Sequence, residues 1–286
     1  MPVRIVTDSA ACIDAQKRHE YGIVTVPLHI ESGGHAVSEL ELQDNRFIEQ
    51  LEALSDLPTT SQPTPGEFAG PFLLAAERDE EVLAVLISGD MSGTVHSAQL
   101  AAEAAVAEHP GARIEIIDSR SNSLEEGYAV LSAAEAAAEG RPLEECREAA
   151  EQTMRRTRFL FTPHSLEYLR RGGRISGASA LLGVMLRIAP ILTAENGATG
   201  VAGVARTGAS AWRKVASLMG KDIERYGLKR AAVQYFADED KVRRFAAEVV
   251  EPLVGAPVPL VPIHPVVGVH VGPAIGVVYE TKEPMR

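Results

Sequence analysis

Short apolar runs alternate with helical segments along the first half of the chain, a pattern typical of a sheet covered by helices. The apolar runs occupy residues 3–7, 23–30, 81–87 and 112–117. Helical spacing is found at residues 45–54, 66–77, 95–108, 124–139 and 143–156. The run 81–87 is continuously apolar after Glu81, as expected of a strand covered on both faces, whereas Pro27 marks the run 23–30 as an edge strand or a bulge. The alternation predicts a parallel α/β sheet.

The second half of the chain has a different pattern, with strands paired as hairpins. Two strands within residues 191–204 surround the turn Glu195-Asn196-Gly197. The remaining strands are predicted at residues 159–161, 230–236, 258–263 and 274–280, and the helices at 165–171, 178–188, 209–226 and 238–253, the last with Asp238 as its N-cap. We therefore predict an N-terminal α/β domain over residues 1–158 and a C-terminal α+β domain with a mixed or antiparallel sheet over residues 159–286.

Composition and charge favour a soluble globular protein and restrict its partners. Apolar residues make up 45% of the 286 residues and charged residues 23%, which is typical of globular domains. The net charge of -11 disfavours nucleic acid as a partner, since domains that bind it are usually basic. No apolar run approaches the roughly 20 residues of a membrane helix, and the N-terminus does not look like a signal peptide. Cys12 and Cys146 form no disulfide framework or metal motif, so we predict a cytoplasmic protein.

Small polar residues follow three strands of the predicted parallel sheet, where ligands of such sheets usually bind. They are Asp8-Ser9, the loop SGDMSGT at residues 88–94, and Asp118-Ser119. Ser92 and Thr94 of the loop come where the next helix begins, so its free N–H groups and dipole favour an anion there. The alternative is that Ser92 or Thr94 simply caps that helix and that the two aspartates brace loops.

The kind of anion is restricted by the motifs that the chain lacks. Neither a Walker loop nor a G-x-G-x-x-G motif is found, and no clustered His or Cys set suggests a metal, so we expect no cofactor. Neutral hydroxyls and N–H groups suit a single weak charge such as a carboxylate. The stretch PTTSQPTPGEF at residues 58–68 fits this chemistry, because its prolines hold an extended backbone that displays Thr60, Ser61 and Gln62.

Two segments of the second half also carry candidate chemistry. LRRGGRIS, residues 169–176, presents Arg174 on a glycine turn next to Arg170 and Arg171, and Arg206 in ARTG is similar. The alternative is a solvated helix face with a glycine cap. His270 lies between valines in GVHVGPAIG, where an isolated histidine is more often a structural residue than a functional one.

Taken together, the chain resembles the DegV family of bacterial fatty-acid-binding proteins. The segments that carry the resemblance are IVTDSAA, PTTSQPTPGEF, ISGDMSGTVHSA, IIDSRS, LEYLRRGGRIS, APILTAENG and VHVGPAIG, in the family's order. The chain departs from the family at Ser88-Gly89, where two serines are more common, and at Ala189, where a basic residue usually precedes the proline. The resemblance implies a two-domain protein with one long-chain fatty acid, such as palmitate, stearate or oleate, between the domains.

The resemblance also implies a partner and a set of site residues. The family looks like the acyl-presenting partner of a separate fatty acid kinase, whose acyl phosphate product feeds phospholipid synthesis. By position, Thr60, Ser61, Ser92 and Gly93 would hold the carboxylate. His270 would complete that polar end. The resemblance implies that Arg174 and Arg206 would face the phosphate or the kinase, and it leaves room for transient contact with a membrane surface.

A fatty acid tail would need an apolar lining. Because burial of apolar surface is favourable, burial of the long tail would be the main source of affinity. The candidates are Phe68, Phe72, Leu182, Met185, Leu186 and Ile188, each of which has an ordinary core position as its alternative. The non-enzymatic carrier is the reading we favour. Two other readings stay open: a serine hydrolase or acyltransferase that uses Ser92, Asp118 and His270, and a regulatory protein that senses a lipid.

Overall fold

The computed structural model describes residues 1–32, 34–42, 57–236 and 239–286, and within these the side chains of all but residues 184–186. The chain divides into two compact units, of which the first contains Met1–Leu42 and Thr60–Met154 and the second contains Arg155–Arg286. The predicted helix at 45–54 and the predicted cap Asp238 lie outside the described residues. Parallel and mixed sheets with covering helices confirm the predicted α/β fold.

The first unit is built on a four-stranded parallel sheet in the order β2-β1-β6-β7, beside a three-stranded sheet in the order β4-β3-β5. The strands are β1 (Val3–Asp8), β2 (Val24–Val26), β3 (His29–Ser32), β4 (His35–Ser38), β5 (Thr59–Ser61), β6 (Glu81–Leu86) and β7 (Ile114–Asp118). The helices are α1 (Ala15–Glu20), α2 (Pro65–Glu77), α3 (Thr94–Glu108), α4 (Ser123–Ala138) and α5 (Leu143–Arg156), with short 3-10 turns at Ser9–Ala11 and Glu39–Glu41.

The core of this unit explains why β6 is apolar from Val82 to Leu86. All six residues of β6 are buried, as predicted for a strand covered on both faces. On one face, Ala84 and Leu86 pack against Phe68 and Phe72 of α2. The run predicted as a single strand at residues 23–30 forms two, because Pro27 separates β2 and β3, which join different sheets. The edge position that Pro27 predicted is confirmed for β2.

The second unit is built on a six-stranded sheet in the order β10-β9-β8-β13-β11-β12. Its strands are β8 (Thr157–Pro163), β9 (Ala189–Glu195), β10 (Ala198–Ala205), β11 (Leu228–Phe236), β12 (Leu260–Pro262) and β13 (Ala274–Thr281). Its helices are α6 (Glu167–Arg171), α7 (Gly208–Tyr226), α8 (Glu239–Phe245), α9 (Glu251–Val254) and α10 (Pro265–Val271), with a 3-10 helix at Ser176–Arg187 and a π-helix at Ala246–Val250. The β11–β12 pair is parallel and the other pairs are antiparallel.

Two predicted helices of this unit have a different form in the structure. The helix predicted at 178–188 is the 3-10 helix Ser176–Arg187, which packs against β10 closely enough that a Cβ on Gly177 would lie 3.0 Å from the Thr199 carbonyl oxygen. The helix predicted at 238–253 is interrupted by the π-helix. The hairpin is confirmed: Asn196 and Gly197, with φ of 51° and 85°, form its two-residue turn.

Candidate functional site

The end of β1 is fixed by a buried aspartate. Asp8 is 1% exposed, and its two carboxylate oxygens accept hydrogen bonds from the Ala10 N–H at 2.9 Å and the Ile87 N–H at 2.8 Å. These bonds cap the turn after β1 and join it to the end of β6. Burial raises the pKa of Asp8 to about 7. Asp8 therefore braces the loops at this edge of the sheet, which is the alternative that the sequence left open.

The SGDMSGT loop turns tightly after β6. The Ser88 carbonyl oxygen accepts hydrogen bonds from the Met91 N–H at 2.9 Å and the Ser92 N–H at 3.0 Å. The Gly89 N–H donates to Asp118 Oδ2 at 3.1 Å, which connects the loop to the end of β7. The ends of three parallel strands thus meet at one edge, as the sequence predicted.

Ser92 and Gly93 stand at the N-terminus of the 15-residue helix α3. Gly93 is the N-cap, and Ser92 Oγ lies 2.8 Å from Thr94 Oγ1 and accepts a long hydrogen bond of 3.4 Å from the Thr94 N–H. Thr94 is fully buried, whereas Ser92 remains partly exposed. The Ser92 hydroxyl is therefore a weak cap that remains partly accessible at a helix N-terminus.

The extended TTSQP segment lies beside this loop. Thr60 and Ser61 belong to strand β5 and are half-buried. Gln62 follows them and covers Gly93, since a Cβ atom on Gly93 would lie 2.9 Å from Gln62 Nε2. The sequence singled out both segments but gave no signal that they touch, because a contact between residues 31 positions apart leaves no periodic trace in a single sequence.

Asp118 makes the contacts of a bracing residue. Its Oδ1 atom accepts a 2.7 Å hydrogen bond from the Arg120 N–H, and the Arg120 guanidinium pairs with Asp90 at 2.8 Å. Together with the bond to Gly89, these contacts show that Asp118 connects the loops after β6 and β7. In the part of the chain that the structure describes, the hydrogen bonds of Ser92 Oγ go to Thr94. These contacts do not form the nucleophile–base pair that a hydrolase needs.

A second buried carboxyl group, Glu126 on α4, lies near Asp8 and was not predicted. Thr7 Oγ1 donates to Glu126 Oε1 at 3.5 Å, and Oε2 has no hydrogen-bond partner within the described ranges. Burial raises the pKa of Glu126 well above its usual range, and the charges of Asp8 and Asp118 raise it further. The sequence missed this group because an acidic residue near a helix N-terminus normally indicates a solvated position.

In the second unit, His270 and Arg174 come together around Gly172. Arg174 Nη1 donates to the Gly172 carbonyl oxygen at 2.5 Å, and a Cβ atom on Gly172 would collide with His270 Nδ1. Burial, and then the charge of Arg174, lower the pKa of His270 to about 4. The imidazole is therefore neutral at pH 7, with one nitrogen able to donate and the other able to accept a hydrogen bond.

The other arginines of this unit are placed differently. Arg170 and Arg171 both pair with Glu167, at 2.6 Å and 2.9 Å, and their hydrogen bonds lower the pKa of Glu167 to about 2. Arg174 is instead half-buried beside His270. Arg206 is exposed after β10, just before the residue that caps α7. The contacts of the second unit thus bring Arg174 to His270 and give no such link for Arg206 among the residues described.

The residues proposed for the tail have mixed surroundings. Phe68 and Phe72 are fully buried in the core of the first unit, with ring centroids 5.8 Å apart. Leu182 is 37% exposed and Ile188 is half-buried. The side chains of Met185 and Leu186 lie outside the description. A role in tail binding stays a prediction for all of these residues.

Neither a metal-binding cluster nor a membrane-spanning helix is found in the described part of the chain. Its His, Cys, Asp and Glu side chains form no group of three or more that could hold a metal ion. Its helices include none that is long and apolar enough to cross a membrane.

The fold and these loops define an α/β protein whose parallel sheet brings the loops after β1, β6 and β7 together at one edge. The chain belongs to the DegV family: the model described as "uncharacterised protein, DegV family" matches residues 2–282. A DegV domain-containing protein of Clostridium acetobutylicum is 37% identical over 287 residues, covering 100% of each chain. Another, of Deinococcus radiodurans, is 33% identical over 282 residues, covering 98% of this chain and 99% of the relative.

Solved structures of the family share the whole fold. A DegV family protein of Thermus thermophilus, described for its fatty acid binding, is 35% identical with a TM-score of 0.88, covering 98% of this chain and 100% of that one. DegV of Bacillus subtilis, described as a fatty acid binding protein, is 29% identical with a TM-score of 0.86, covering 99% of this chain and 100% of that one. The predicted family and fold class are confirmed.

Proposed function

We propose that this protein binds one long-chain fatty acid, of the palmitate, stearate or oleate class, and holds its carboxylate at the loop edge of the first unit. The observation that carries the proposal is the meeting of TTSQP with the start of α3. There Thr60, Ser61, Ser92 and the backbone of Gly93 supply neutral donors near a helix N-terminus. The description of the Thermus and Bacillus relatives as fatty acid binding supports it.

The chemistry of a fatty acid suits such a site. A carboxylate taken out of water is very costly unless several donors replace its water shell. Hydroxyls on a proline-bounded extended segment, together with free N–H groups of a helix, supply these donors without adding a full positive charge. The apolar tail then contributes most of the affinity through burial, and Phe68, Phe72, Leu182, Met185, Leu186 and Ile188 remain our candidates for its lining.

In the proposal, the two predicted domains bind different parts of the fatty acid. Residues 1–158 supply the loops that bind the carboxylate, and residues 159–286 complete the tunnel for the tail. His270 completes the polar end as a neutral imidazole. The bound acid is presented to a separate fatty acid kinase in the cytoplasm, which forms an acyl phosphate for phospholipid synthesis. Arg174 and Arg206 face that phosphate or the kinase. In this proposal the kinase carries out the chemistry, and this chain is a lipid-binding subunit and not an enzyme.

Native mass spectrometry of the protein purified from a bacterial host, followed by lipid extraction, tests the proposal directly. We expect one fatty acid per chain, and the extract identifies its length and saturation. A chain that arrives empty and takes up no added palmitate, stearate or oleate would contradict the proposal. Labelling of Ser92 by a fluorophosphonate would instead support the hydrolase reading.

A further inference from the structure

The side chain of Gln62 lies over the backbone of Gly93. A Cβ atom built on Gly93 would stand 2.9 Å from Gln62 Nε2, 3.0 Å from Cδ and 3.4 Å from Oε1. Three atoms of one planar amide approach the same point. The whole amide group, and not one atom of it, therefore lies over the glycine. A side chain at position 93 would have to displace this amide.

The backbone conformation of Gly93 does not itself require a glycine. Its φ of -75° and ψ of 6° belong to a region that other residues adopt. Glycine is otherwise favoured where a backbone must be approached closely. The absence of a side chain at position 93 therefore allows the Gln62 amide to come close to the backbone.

The contact joins the two segments that carry the proposed carboxylate donors. Gln62 directly follows Ser61, and Gly93 directly follows Ser92. Adjacent Cα atoms are about 3.8 Å apart, so a contact between residues 62 and 93 also limits how far apart the two serines can lie. Pro63 is buried immediately after Gln62, and its fixed φ limits the freedom of the segment on that side.

We infer that Gln62 is a positioning residue for the carboxylate: it holds the TTSQP segment against the N-terminus of α3, so that the hydroxyls of both segments are in place before the ligand binds. This inference rests on the proposed function and adds a residue to it. A preorganised set of donors binds more tightly because less conformational entropy is lost on binding. The effect should therefore depend on the carboxylate and not on the tail.

The test compares palmitate with hexadecanol, which has the same tail length and no carboxylate. On lipid-stripped protein, Gln62→Ala should lower the affinity for palmitate roughly threefold to tenfold and leave that for hexadecanol unchanged. Gln99→Ala, at an exposed position of α3, is the matched control and should change neither affinity. An equal loss for both ligands would mean a general loss of structure and would overturn the inference.

A double-mutant cycle tests the contact itself. Gly93→Ala should lower palmitate affinity more than Gln62→Ala does, because it pushes the amide aside. In the combined variant the clash is gone, so its affinity should return to that of Gln62→Ala alone. Gly70→Ala, which meets no atom within 4 Å, controls for the added methyl group. Strictly additive effects at positions 62 and 93 would also overturn the inference.

Failure of the inference and failure of the proposed function give different results. If the parent protein binds palmitate and Gln62→Ala behaves like Gln99→Ala, only the positioning role is wrong. If the parent binds neither palmitate nor hexadecanol, the proposed function is wrong and the positioning role with it. The coupling of residues 62 and 93 in the melting temperatures of the ligand-free variants would then show whether the contact is purely structural.

Discussion

At the scale of single residues, the proposed carboxylate site makes a direct prediction about two hydroxyls. Thr60→Val combined with Ser92→Ala removes a donor from each of the two adjoining segments while keeping their size nearly constant. Because hydrogen bonds to a charged group contribute about 1.5–3 kcal/mol each, we expect palmitate affinity to fall at least tenfold. Isothermal titration or a fluorescent fatty acid competition assay measures the change.

The neighbouring threonine supplies the control for this double variant. Thr59 is exposed at the preceding position of the same strand, whereas Thr60 and Ser61 are half-buried. Thr59→Val should therefore leave affinity unchanged. A double variant that retains palmitate as the parent does would show that the head group is bound elsewhere.

The contact between Gly172 and His270 gives a second prediction at this scale. Gly172→Ala places a methyl group against His270 Nδ1, so the imidazole has to move or the loop has to shift. Overpacking of this kind typically costs about 1–3 kcal/mol. Thermal unfolding measures that cost, and the histidine ring signals in NMR report the displacement of the imidazole.

Gly208→Ala is the matched control for this substitution, because a Cβ at Gly208 meets no atom within 4 Å. It should change neither the unfolding transition nor the His270 signals. A Gly172→Ala variant with both properties unaltered would mean that the close packing of the imidazole does not exist in solution.

At the scale of elements, helix α2 is the piece that follows the TTSQP segment, and its start is set by a capping box. Thr64 Oγ1 accepts a hydrogen bond from the Glu67 N–H at 3.3 Å, and Glu67 Oε2 accepts one from the Thr64 N–H at 2.7 Å. Thr64→Ala should cost about 1 kcal/mol of the free energy of unfolding, whereas Thr64→Ser should cost little. Equal denaturation midpoints for the two variants would contradict a capping role.

The sequence predicted those elements whose pattern is local. The run at β6 is apolar because both faces are covered, and the Asn196-Gly197 turn needs residues that tolerate positive φ. Both signals lie within a few residues of the feature that they predict. The division of residues 23–30 into two strands and the 3-10 form of Ser176–Arg187 were not predicted, because each depends on the distant strands that the segment packs against.

The sequence also predicted only part of the candidate site, namely the loops that form it and not the contacts between them. The loops after β1, β6 and β7 follow from strand order, since parallel strands bring their carboxyl ends to one edge. The contact of Gln62 with Gly93 and the burial of Glu126 depend on tertiary packing between segments that are distant in the sequence. A glutamine in a loop and a glutamate in the first turn of a helix are both ordinary surface residues by sequence alone.

At the scale of the whole molecule, the buried carboxyl groups predict how stability depends on pH. The pKa of Asp8 is raised to about 7 and that of Glu126 is raised well above its usual range, so the folded state holds more protons than the unfolded state. The stability that these protons provide is complete below the unfolded pKa values of about 4 and is lost as pH rises through the folded ones. We expect the free energy of unfolding to fall between about pH 5 and pH 8.

Glu126→Gln should flatten this fall, because the amide keeps the shape of the protonated acid and cannot ionise. Its unfolding midpoint in urea should exceed that of the parent at pH 8 and approach it at pH 5. Glu103→Gln, at an exposed position of α3, controls for the loss of one negative charge. Parallel pH profiles for the parent and the Glu126→Gln variant would mean that Glu126 is not protonated in the folded state.

Substitution of Arg174 should separate the proposed binding of a fatty acid from its proposed presentation to a kinase. Its guanidinium lies beside a neutral His270, while the nearby Arg171 is held by Glu167. Arg174→Ala should leave the bound fatty acid in native mass spectra and slow its phosphorylation by a fatty acid kinase at least tenfold, because guanidinium groups bind phosphate strongly. Arg171→Ala should do neither. If the Arg174→Ala variant loses its lipid, the arginine belongs to the binding site, and presentation must depend on other residues.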